Sequence, residues 1–345
     1  MLAEPGAGKS AATVPEREAP EAAVIEGLVW AFRLHDDGRA ESVAVDLPIH
    51  LLHDGRLWLH LNLADARARA WISSANLPTL ARDLLLSKDN FQQIHTINGC
   101  LYGVFSDLLR DIDNSTDETG FLRFVMTERL LISGRQHALC SVDATRRVLE
   151  GGHRVESVAA LLEKIVEEVA DTLDRVADRI GAEIDGVEER LLAGQVRADM
   201  RAQLGRQRRV CVRLHRQLSG LRTLFHRLEH NNPDALGPAL RIHAAKLAQR
   251  LDGLDHDIIE LRERSRLLEE ELHYKLEEAS NRHLHALSVV TMMLLPPTLV
   301  TGIFGMNTKG LPFTDNEAAF LWAAALMLGS SGLAYLIMRR LGIVK

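Results

Sequence analysis

The sequence predicts an α+β fold in three parts: an N-terminal cytosolic α/β domain, long stalk helices, and two C-terminal transmembrane helices. Short apolar runs alternate with turns in residues 22–140, and an almost unbroken helical pattern fills residues 141–285. Residues 286–345 then hold two uncharged apolar runs, 286–304 and 318–338, which are 19 and 21 residues long. About 18 such residues are enough to cross the hydrocarbon core of a bilayer as a helix. The two runs therefore predict a membrane hairpin behind a large, charged body.

The N-terminal region predicts a tail followed by a mixed domain. Residues 1–21 are rich in Ala, Glu and Pro and lack an apolar core, so we expect a disordered tail and no secretory signal. Alternating apolar and polar positions, bounded by turn residues, are typical of strands. The predicted strands are residues 24–34, 42–47, 57–63, 101–109 and 121–133, and the predicted helices between them are 64–75 and 77–86.

Three long helices are predicted in the stalk. Residues 155–192 place apolar side chains at steps of three and four, a second helix covers 197–230, and Asn231, Asn232 and Pro233 break the pattern. A third helix is expected to start near Pro238 and to run unbroken into the first apolar run. The first helix is acidic, the second basic and the third acidic, which favours salt-bridged antiparallel helices. Acidic faces near an inner pore mouth would also concentrate cations.

Flanking charge predicts the topology of the hairpin. Arg282 precedes the first run, and Arg339, Arg340 and Lys345 follow the second, whereas the loop between them has one Lys. Because Lys and Arg concentrate on the cytoplasmic side, both termini are expected inside and the loop outside. The alternative, a buried core helix of a soluble protein, is less favoured because two uncharged runs of this length rarely occur in tandem in soluble folds.

Small and polar residues form a stripe along the first apolar run. They recur at steps of three and four, interrupted by two leucines: Asn281, Leu284, Ser288, Thr291, Leu295, Thr298, Gly302 and Gly305. This spacing places them on one face of a helix. Such a face can line a pore made by several copies, or it can pack closely against another helix. Both interpretations stay open on the stripe alone, and the pore is favoured.

The C-terminal motifs resemble a known family. Asn281-Arg282-His283-Leu284, Leu294-Leu295-Pro296 and Thr301-Gly302-Ile303-Phe304-Gly305-Met306-Asn307 are similar to the first span of the CorA superfamily of divalent metal-ion transporters. Gly310-Leu311-Pro312 resembles the ZntB-like zinc transporter branch, and Thr308-Lys309 lacks the acid typical of the magnesium branch. Lys309 and Pro297 depart from the usual pattern.

The resemblance implies a homopentameric pore in the bacterial inner membrane, with Zn²⁺ as substrate and Mg²⁺, Co²⁺, Ni²⁺ and Cd²⁺ as further possibilities. Gly305, Met306 and Asn307 would form the selectivity motif, and an Asn307 ring at the outer mouth would hold the cation through its hydrating water. The pore would be lined by Asn281, Leu284, Leu287, Ser288, Thr291, Leu295, Thr298 and Gly302, with the leucines as dry constrictions. The alternatives are a CorA-type Mg²⁺/Co²⁺ channel and a non-transporting membrane-anchored scaffold or sensor.

Other functional classes receive little support from the sequence. A net charge of −6 implies no nucleic-acid partner, and Cys100, Cys140 and Cys211 are isolated, as in a reducing compartment. We find no catalytic constellation and expect neither an enzyme nor a bound cofactor. His226, His230, Asp252 and His256 have spacings that could chelate a metal, but a solvated helix face is favoured because a lone pair leaves a tetrahedral ion under-coordinated.

Overall fold

The computed structural model describes residues 25–45, 55–97, 99–110, 115–231, 242–306 and 319–343. The chain divides into two compact units. The first comprises Met1–Asp185 and Arg206–Arg264, and the second comprises Gly186–Gly205 and Ser265–Lys345. The three-part division of the sequence stays a prediction.

The first unit is built on a mixed seven-stranded sheet. Its strands are β1 (Leu28–Leu34), β2 (Ala40–Val43), β3 (Arg56–Asn62), β4 (Gln93–Ile97), β5 (Cys100–Arg110), β6 (Ser115–Met126) and β7 (Leu130–Arg135). Their order is β2-β1-β3-β7-β6-β5-β4. Only the central β3–β7 pair is parallel among these neighbours. Two short helices, α1 (Ala66–Ser74) and α2 (Thr79–Leu86), lie in the connection between β3 and β4.

Helices α1 and α2 pack on one face of the sheet. Ala68 and Ile72 of α1 and Ala81 and Leu85 of α2 are buried in one hydrophobic cluster with side chains of the sheet. Gly27 has φ of 78°, and a Cβ there would lie 2.6 Å from Ala68 Cβ, so the approach of α1 requires glycine. The burial of apolar side chains against both helices and sheet stabilises this domain.

A further helix, α3 (Cys140–Glu150), follows the sheet and is capped from another element. The buried Asp107 of β5 accepts hydrogen bonds from the backbone N–H and the hydroxyl of Ser141 in the first turn of α3. Burial raises the pKa of Asp107 to about 6, although the hydrogen bonds from Ser141 oppose that rise.

The strand predictions were right in the centre of the sheet and wrong at its turns. The predicted strand 121–133 is two strands, β6 and β7, because the chain turns where Leu130 N–H donates to Thr127 Oγ1 at 3.1 Å. No Gly or Pro marks that turn. The sequence also missed β4, an edge strand whose side chains are half-buried or exposed and therefore show no hydrophobic alternation.

Four long helices follow among the described residues: α4 (Val158–Leu192), α5 (Ala198–Asn231), α6 (Ala244–Phe304) and α7 (Ala319–Arg340). As predicted, α6 runs without a break from the charged region into the first apolar run. Its 61 residues correspond to about 90 Å of helix. The proposed start near Pro238 lies outside the described residues.

Ion pairs in the first unit explain the segregated charge. The acidic face of α4 pairs with the first turns of α6, as Glu167 with Lys246 at 3.2 Å and Asp171 with Arg250. Glu163 contacts the ring of His243, the residue before α6, at 3.0 Å. These pairs advance together along both helices, so α4 and α6 are parallel, which is the arrangement that antiparallel packing of consecutive helices produces. Glu183 of α4 bonds to Gln207 of α5 and Arg190 bonds to Gln203, so α4 and α5 are antiparallel, as predicted. The antiparallel partner of α6 is α5, where the carboxylate of Asp255 binds His215 at 2.6 Å and Arg222 at 3.0 Å.

Candidate functional site

The membrane-length segments of α6 and α7 expose the side chains that the sequence placed in a pore. Among the described residues, α6 and the stretch Phe320–Arg340 are the helices long and apolar enough to span a membrane, and none of their most apolar windows is buried. All eight predicted lining residues are exposed on α6: Asn281, Leu284, Leu287, Ser288, Thr291, Leu295, Thr298 and Gly302. Seven of them, all but Leu287, follow alternating steps of three and four and therefore share one helix face.

The threonines of this face are oriented by their own helix. Thr291 Oγ1 donates to the Leu287 carbonyl at 2.8 Å, and Thr298 Oγ1 donates to the Leu294 carbonyl at 2.7 Å. A hydroxyl has one hydrogen to donate and two lone pairs. Because the hydrogen is used within the helix, each hydroxyl presents an oxygen acceptor to its exterior. Acceptor oxygens are suited to the water shell of a cation.

Leucines alternate with these polar positions along the same helix. Leu284 and Leu295 are 58% and 61% exposed, and Leu287 is also exposed. Since most of their apolar surface is uncovered, each could narrow a shared channel without interrupting the helix.

Two adjacent prolines modify the backbone of the span. Pro296 and Pro297 lie inside α6, and neither has an N–H. In an unbroken helix the N–H of residue 297 would bond to the Met293 carbonyl. Ser331 Oγ of α7 instead donates to that carbonyl at 3.4 Å. The sequence analysis did not identify Ser331. The sequence feature that could have indicated this contact is a polar side chain in α7 when the neighbouring helix contains prolines.

Gly305 and Met306, the described residues of the Gly-Met-Asn triplet, directly follow the end of α6. Gly305 N–H donates to the Thr301 carbonyl at 2.9 Å, and Met306 N–H donates to the Ile303 carbonyl at 3.3 Å. A Cβ on Gly305 would lie 2.9 Å from the Thr301 carbonyl oxygen, so the close turn favours glycine. Asn307 lies outside the described residues, as do Thr308, Lys309, Gly310, Leu311, Pro312, Asp315, Glu317 and Lys345.

The four proposed metal ligands do not form one cluster. His226 Nε2 lies 3.2 Å from Asp252 Oδ2, which brings these two together across α5 and α6. The ring Nδ1 of His230 bonds to the His226 carbonyl instead, at 2.8 Å, and His256 is exposed. Arg222 also pairs with Asp252 at 3.4 Å. Within the ranges that the structure describes, no group of three or more His, Cys, Asp or Glu side chains could hold a metal ion.

An acidic surface lies on α4 of the first unit. Partial burial raises the pKa of Asp174, and the neighbouring carboxylate of Asp178 raises it further. Arg250 of α6, which pairs with Asp171 of α4, lowers the pKa of Asp174, so the negative charge of this surface is partly compensated.

Two zinc transport proteins are similar in sequence to this chain over most of its length. A zinc transport protein ZntB from Klebsiella pneumoniae is 26% identical over 323 residues, which cover 91% of this chain and 96% of the relative. ZntB from Yersinia enterocolitica is 23% identical over 303 residues, covering 88% and 91%.

Solved structures share the fold. The full-length CmaX protein matches with a TM-score of 0.74 and 26% identity, covering 91% of this chain and 98% of the other. The CorA magnesium transporter of Methanocaldococcus jannaschii matches with a TM-score of 0.66 and 19% identity over the same shares.

The family model for CorA-like Mg²⁺ transporter proteins matches residues 53–340. The match runs from β3 through the sheet, the long helices and both membrane-length segments. It confirms the resemblance seen in the sequence motifs: the chain belongs to the CorA-like transporter family.

Proposed function

We propose that this chain transports divalent metal cations across a membrane as a homopentamer, with Zn²⁺ as its main substrate. The observation that carries the proposal is the continuous face of α6 on which Ser288, Thr291 and Thr298 are all exposed. Polar side chains at membrane depth are stabilised when they face a partner helix or water rather than lipid. The relatives named above are transporters, which favours transport over catalysis.

Several copies are needed because two helices cannot enclose a water-filled path. The stripe provides a surface that copies of α6 could share, while the other faces of the span are apolar except for Thr301 and are suited to lipid. The number five follows from the family resemblance. Asn281 would lie at the cytoplasmic end of the shared path and Gly302 near its outer end, where Asn307 would complete a ring of amides.

Conduction requires binding that is favourable but weak enough to permit release. Stripping water from a divalent cation is unfavourable, and for Mg²⁺ especially so. Neutral amides of Asn307 and the acceptor oxygens of Thr298 and Thr291 can bind the water shell without holding the ion as carboxylates would. Leu284, Leu287 and Leu295 would act as dry constrictions that close by excluding water.

Different observations favour Zn²⁺ and Mg²⁺ as the main substrate. Zinc is favoured by the ZntB relatives and by Thr308-Lys309, which provides no acid after the triplet. A CorA-type Mg²⁺/Co²⁺ channel is the second candidate, favoured by the family model and by the CorA structure. Uptake of Zn²⁺, Mg²⁺, Co²⁺, Ni²⁺ and Cd²⁺ into liposomes containing the purified protein separates the two. Flux of Mg²⁺ without Zn²⁺ would contradict the first, and an intact oligomer without any flux would support a scaffold or sensor.

We propose the bacterial inner membrane as location, with both termini in the cytoplasm. Single cysteines introduced at Lys309 and Lys345 would test this by labelling from opposite sides. The native cysteines interfere little, because burial raises the pKa of Cys100, Cys140 and Cys211 to about 11 and keeps them as unreactive thiols. Labelling of both introduced cysteines from the same side would overturn the topology.

A further inference from the structure

Two surfaces of opposite charge lie on the first unit, and the transport proposal uses neither. The first, the arginine surface, lies on α5. Its exposed arginines are spaced by three, four, three and eleven residues, which places them along one row of the helix: Arg206, Arg209, Arg213, Arg216 and Arg227. Arg213 already has a partner. The guanidinium groups of the other four make no hydrogen bond or ion pair with any residue that the structure describes.

The second, the carboxylate surface, is formed by two parallel helices. Its four exposed acids are Asp174 and Asp178 of α4 and Asp257 and Glu260 of α6. Burial raises the pKa of Asp174, and the carboxylates of Asp178, Asp171 and Asp257 raise it further, although Arg250 opposes them. Asp257 therefore acts on α4, and the two helices share one negative surface. In the described part of the chain, none of the four acids forms an ion pair.

Each surface is unfavourable as long as it stays uncovered. Like charges three or four residues apart on a helix repel each other. Three such pairs occur on the two surfaces: Arg206 with Arg209, Asp174 with Asp178, and Asp257 with Glu260. Charges on the inner side of α5 are paired instead, as Arg222 with Asp255 at 3.0 Å. Opposite charge from another molecule would relieve the repulsion.

The two surfaces lie at the same level of the helix bundle. His215 of α5 binds Asp255 of α6 at 2.6 Å, so Arg216 and Asp257 lie within about one helical turn of each other along the helix axes. The bond between Gln207 of α5 and Glu183 of α4 places Arg209 and Asp178 within about one turn in the same way.

The arginine surface nevertheless points away from α6. Arg222 marks the side of α5 that faces α6, because it binds Asp255. Arg216 is six residues earlier and therefore about 120° around the helix from Arg222. The two surfaces thus share a height but lie on different sides of the bundle, where they are available to two different neighbours.

The proposed function places copies of the chain in a ring. Cyclic symmetry rotates each copy about an axis without moving it along that axis, so surfaces on helices that run along the axis meet when they share a height. The arginine and carboxylate surfaces share a height and have opposite charge. We propose that the arginine surface of each copy binds the carboxylate surface of the next copy in the ring. This contact rests on the proposed homopentamer, whose neighbouring copies it joins.

The charges also select the type of symmetry. Two arginine surfaces repel each other, and so do two carboxylate surfaces, which disfavours a two-fold contact in which a surface meets its own copy. Contact between unlike surfaces leaves one surface of each kind uncovered at the ends of an open row of copies. Ring closure pairs these two as well, so the segregated charges favour a closed ring over a symmetric dimer.

Assembly of the full-length chain in detergent tests the contact. Arg209→Glu with Arg216→Glu makes both surfaces negative, and Asp178→Arg with Asp257→Arg makes both positive. Each double substitution should raise the protein concentration at which half of the chains are assembled by at least about tenfold, because like charges then face each other. Native mass spectrometry of a dilution series measures the assembled fraction.

All four substitutions in one chain should restore assembly. They exchange the signs of the two surfaces, so half-assembly should return to within about threefold of the original concentration. Arg129→Glu and Glu128→Arg are the matched controls and should change nothing, because both side chains are exposed in the turn between β6 and β7 and make no ion pair among the described residues. Half-assembly that ignores the reversals would overturn the contact, as would a fourfold variant that assembles no better than the doubles.

Cross-linking tests the contact without reversing any charge. Chains with Arg216→Cys and chains with Asp257→Cys are co-expressed and treated with a short bis-maleimide. The co-expressed pair should give cross-linked dimers, and either variant alone should not. Dimers from one variant alone would show that like surfaces meet, and their absence from the pair would show that unlike surfaces do not; both results overturn the contact.

Liposome flux separates this contact from the transport proposal. An oligomer that responds to the charge reversals but carries no cation would contradict the transport proposal alone. Cation flux through an oligomer that ignores the reversals would contradict the contact alone.

Discussion

Ser331 of α7 donates a hydrogen bond of 3.4 Å to the Met293 carbonyl of α6, the carbonyl that Pro297 leaves without its helical donor. Both residues belong to membrane-length segments, where water is not present to satisfy a backbone carbonyl. The contact joins the two helices of the hairpin at a position set by a proline. It also gives a function to Pro297, one of the two departures from the usual family pattern.

Replacing Ser331 should therefore weaken the hairpin. We expect Ser331→Ala to destabilise the protein by about 0.6 kcal/mol, the typical value for a hydrogen bond between membrane helices. Ser330→Ala is the matched control, because Ser330 Oγ bonds to Met327 of its own helix at 2.9 Å. Unfolding in mixed micelles measures both.

Pro297→Ala tests whether Ser331 bonds to the Met293 carbonyl because Pro297 lacks an N–H. It restores the helical donor to Met293, so Ser331→Ala should have no further effect in that background. An equal loss of stability with and without Pro297 would show that the serine acts through some other contact.

Asn307→Ala should abolish cation uptake while leaving the oligomer intact, because a methyl group cannot bind the water shell of an ion. Liposome flux and size-exclusion chromatography give the two measurements. Normal uptake would remove Asn307 from the ion path.

Lys309→Gly should raise uptake at low ionic strength and have less effect at high salt, because exposed ammonium groups near the mouth repel cations over a screened distance. Flux at two salt concentrations tests this. An unchanged rate at both would place the ammonium away from the ion path, and a lower rate would make Lys309 structural, paired in the loop with Asp315 or Glu317.

Substitutions of two threonines of α6 can distinguish a pore-lining stripe from a helix-packing stripe. Thr298 and Thr301 both donate to carbonyls of their own helix, at 2.7 Å and 2.9 Å, but only Thr298 belongs to the stripe. Thr298→Val should reduce flux several-fold, whereas Thr301→Val should change it little. Equal effects of the two substitutions would favour a helix-packing face.

Asp107 should make stability depend on pH. Its pKa is raised from 3.8 to about 6 in the folded chain, so the folded state binds its proton more tightly than the unfolded state. The contribution of this group to stability is therefore lost as pH rises from about 4 to 6, by roughly 3 kcal/mol in total. Asp107→Asn should flatten this part of the profile, measured by denaturant unfolding at several pH values. If the free energy of unfolding of the variant depends on pH as in the original protein, groups other than Asp107 determine that dependence.

Structural features that arise from residues close together in the sequence could be predicted, whereas contacts between residues far apart in the sequence could not. The long helices and the hairpin follow from periodicity and uncharged length, so the bounds of α4 and α5 were found to within a few residues, and the continuation of α6 into the first apolar run was also found. The turn at Thr127 was missed because side-chain hydrogen bonding replaces Gly or Pro there. The pairing of Asp171 with Arg250 and of Ser331 with Met293 could not be predicted, since each joins helices far apart in the sequence. The part of the stripe from Asn281 to Gly302 lies on one face of α6 as predicted, because helical spacing alone fixes which residues share a face.

The uncovered surface of the two membrane-length segments has a thermodynamic consequence. Since none of their most apolar windows is buried within one chain, a single copy gains little packing free energy there. In the proposed oligomer, packing between copies stabilises these segments, and association of copies obeys mass action. The apparent stability of the hairpin should consequently rise with the protein-to-lipid ratio. A melting temperature for this region has meaning only when that ratio is stated.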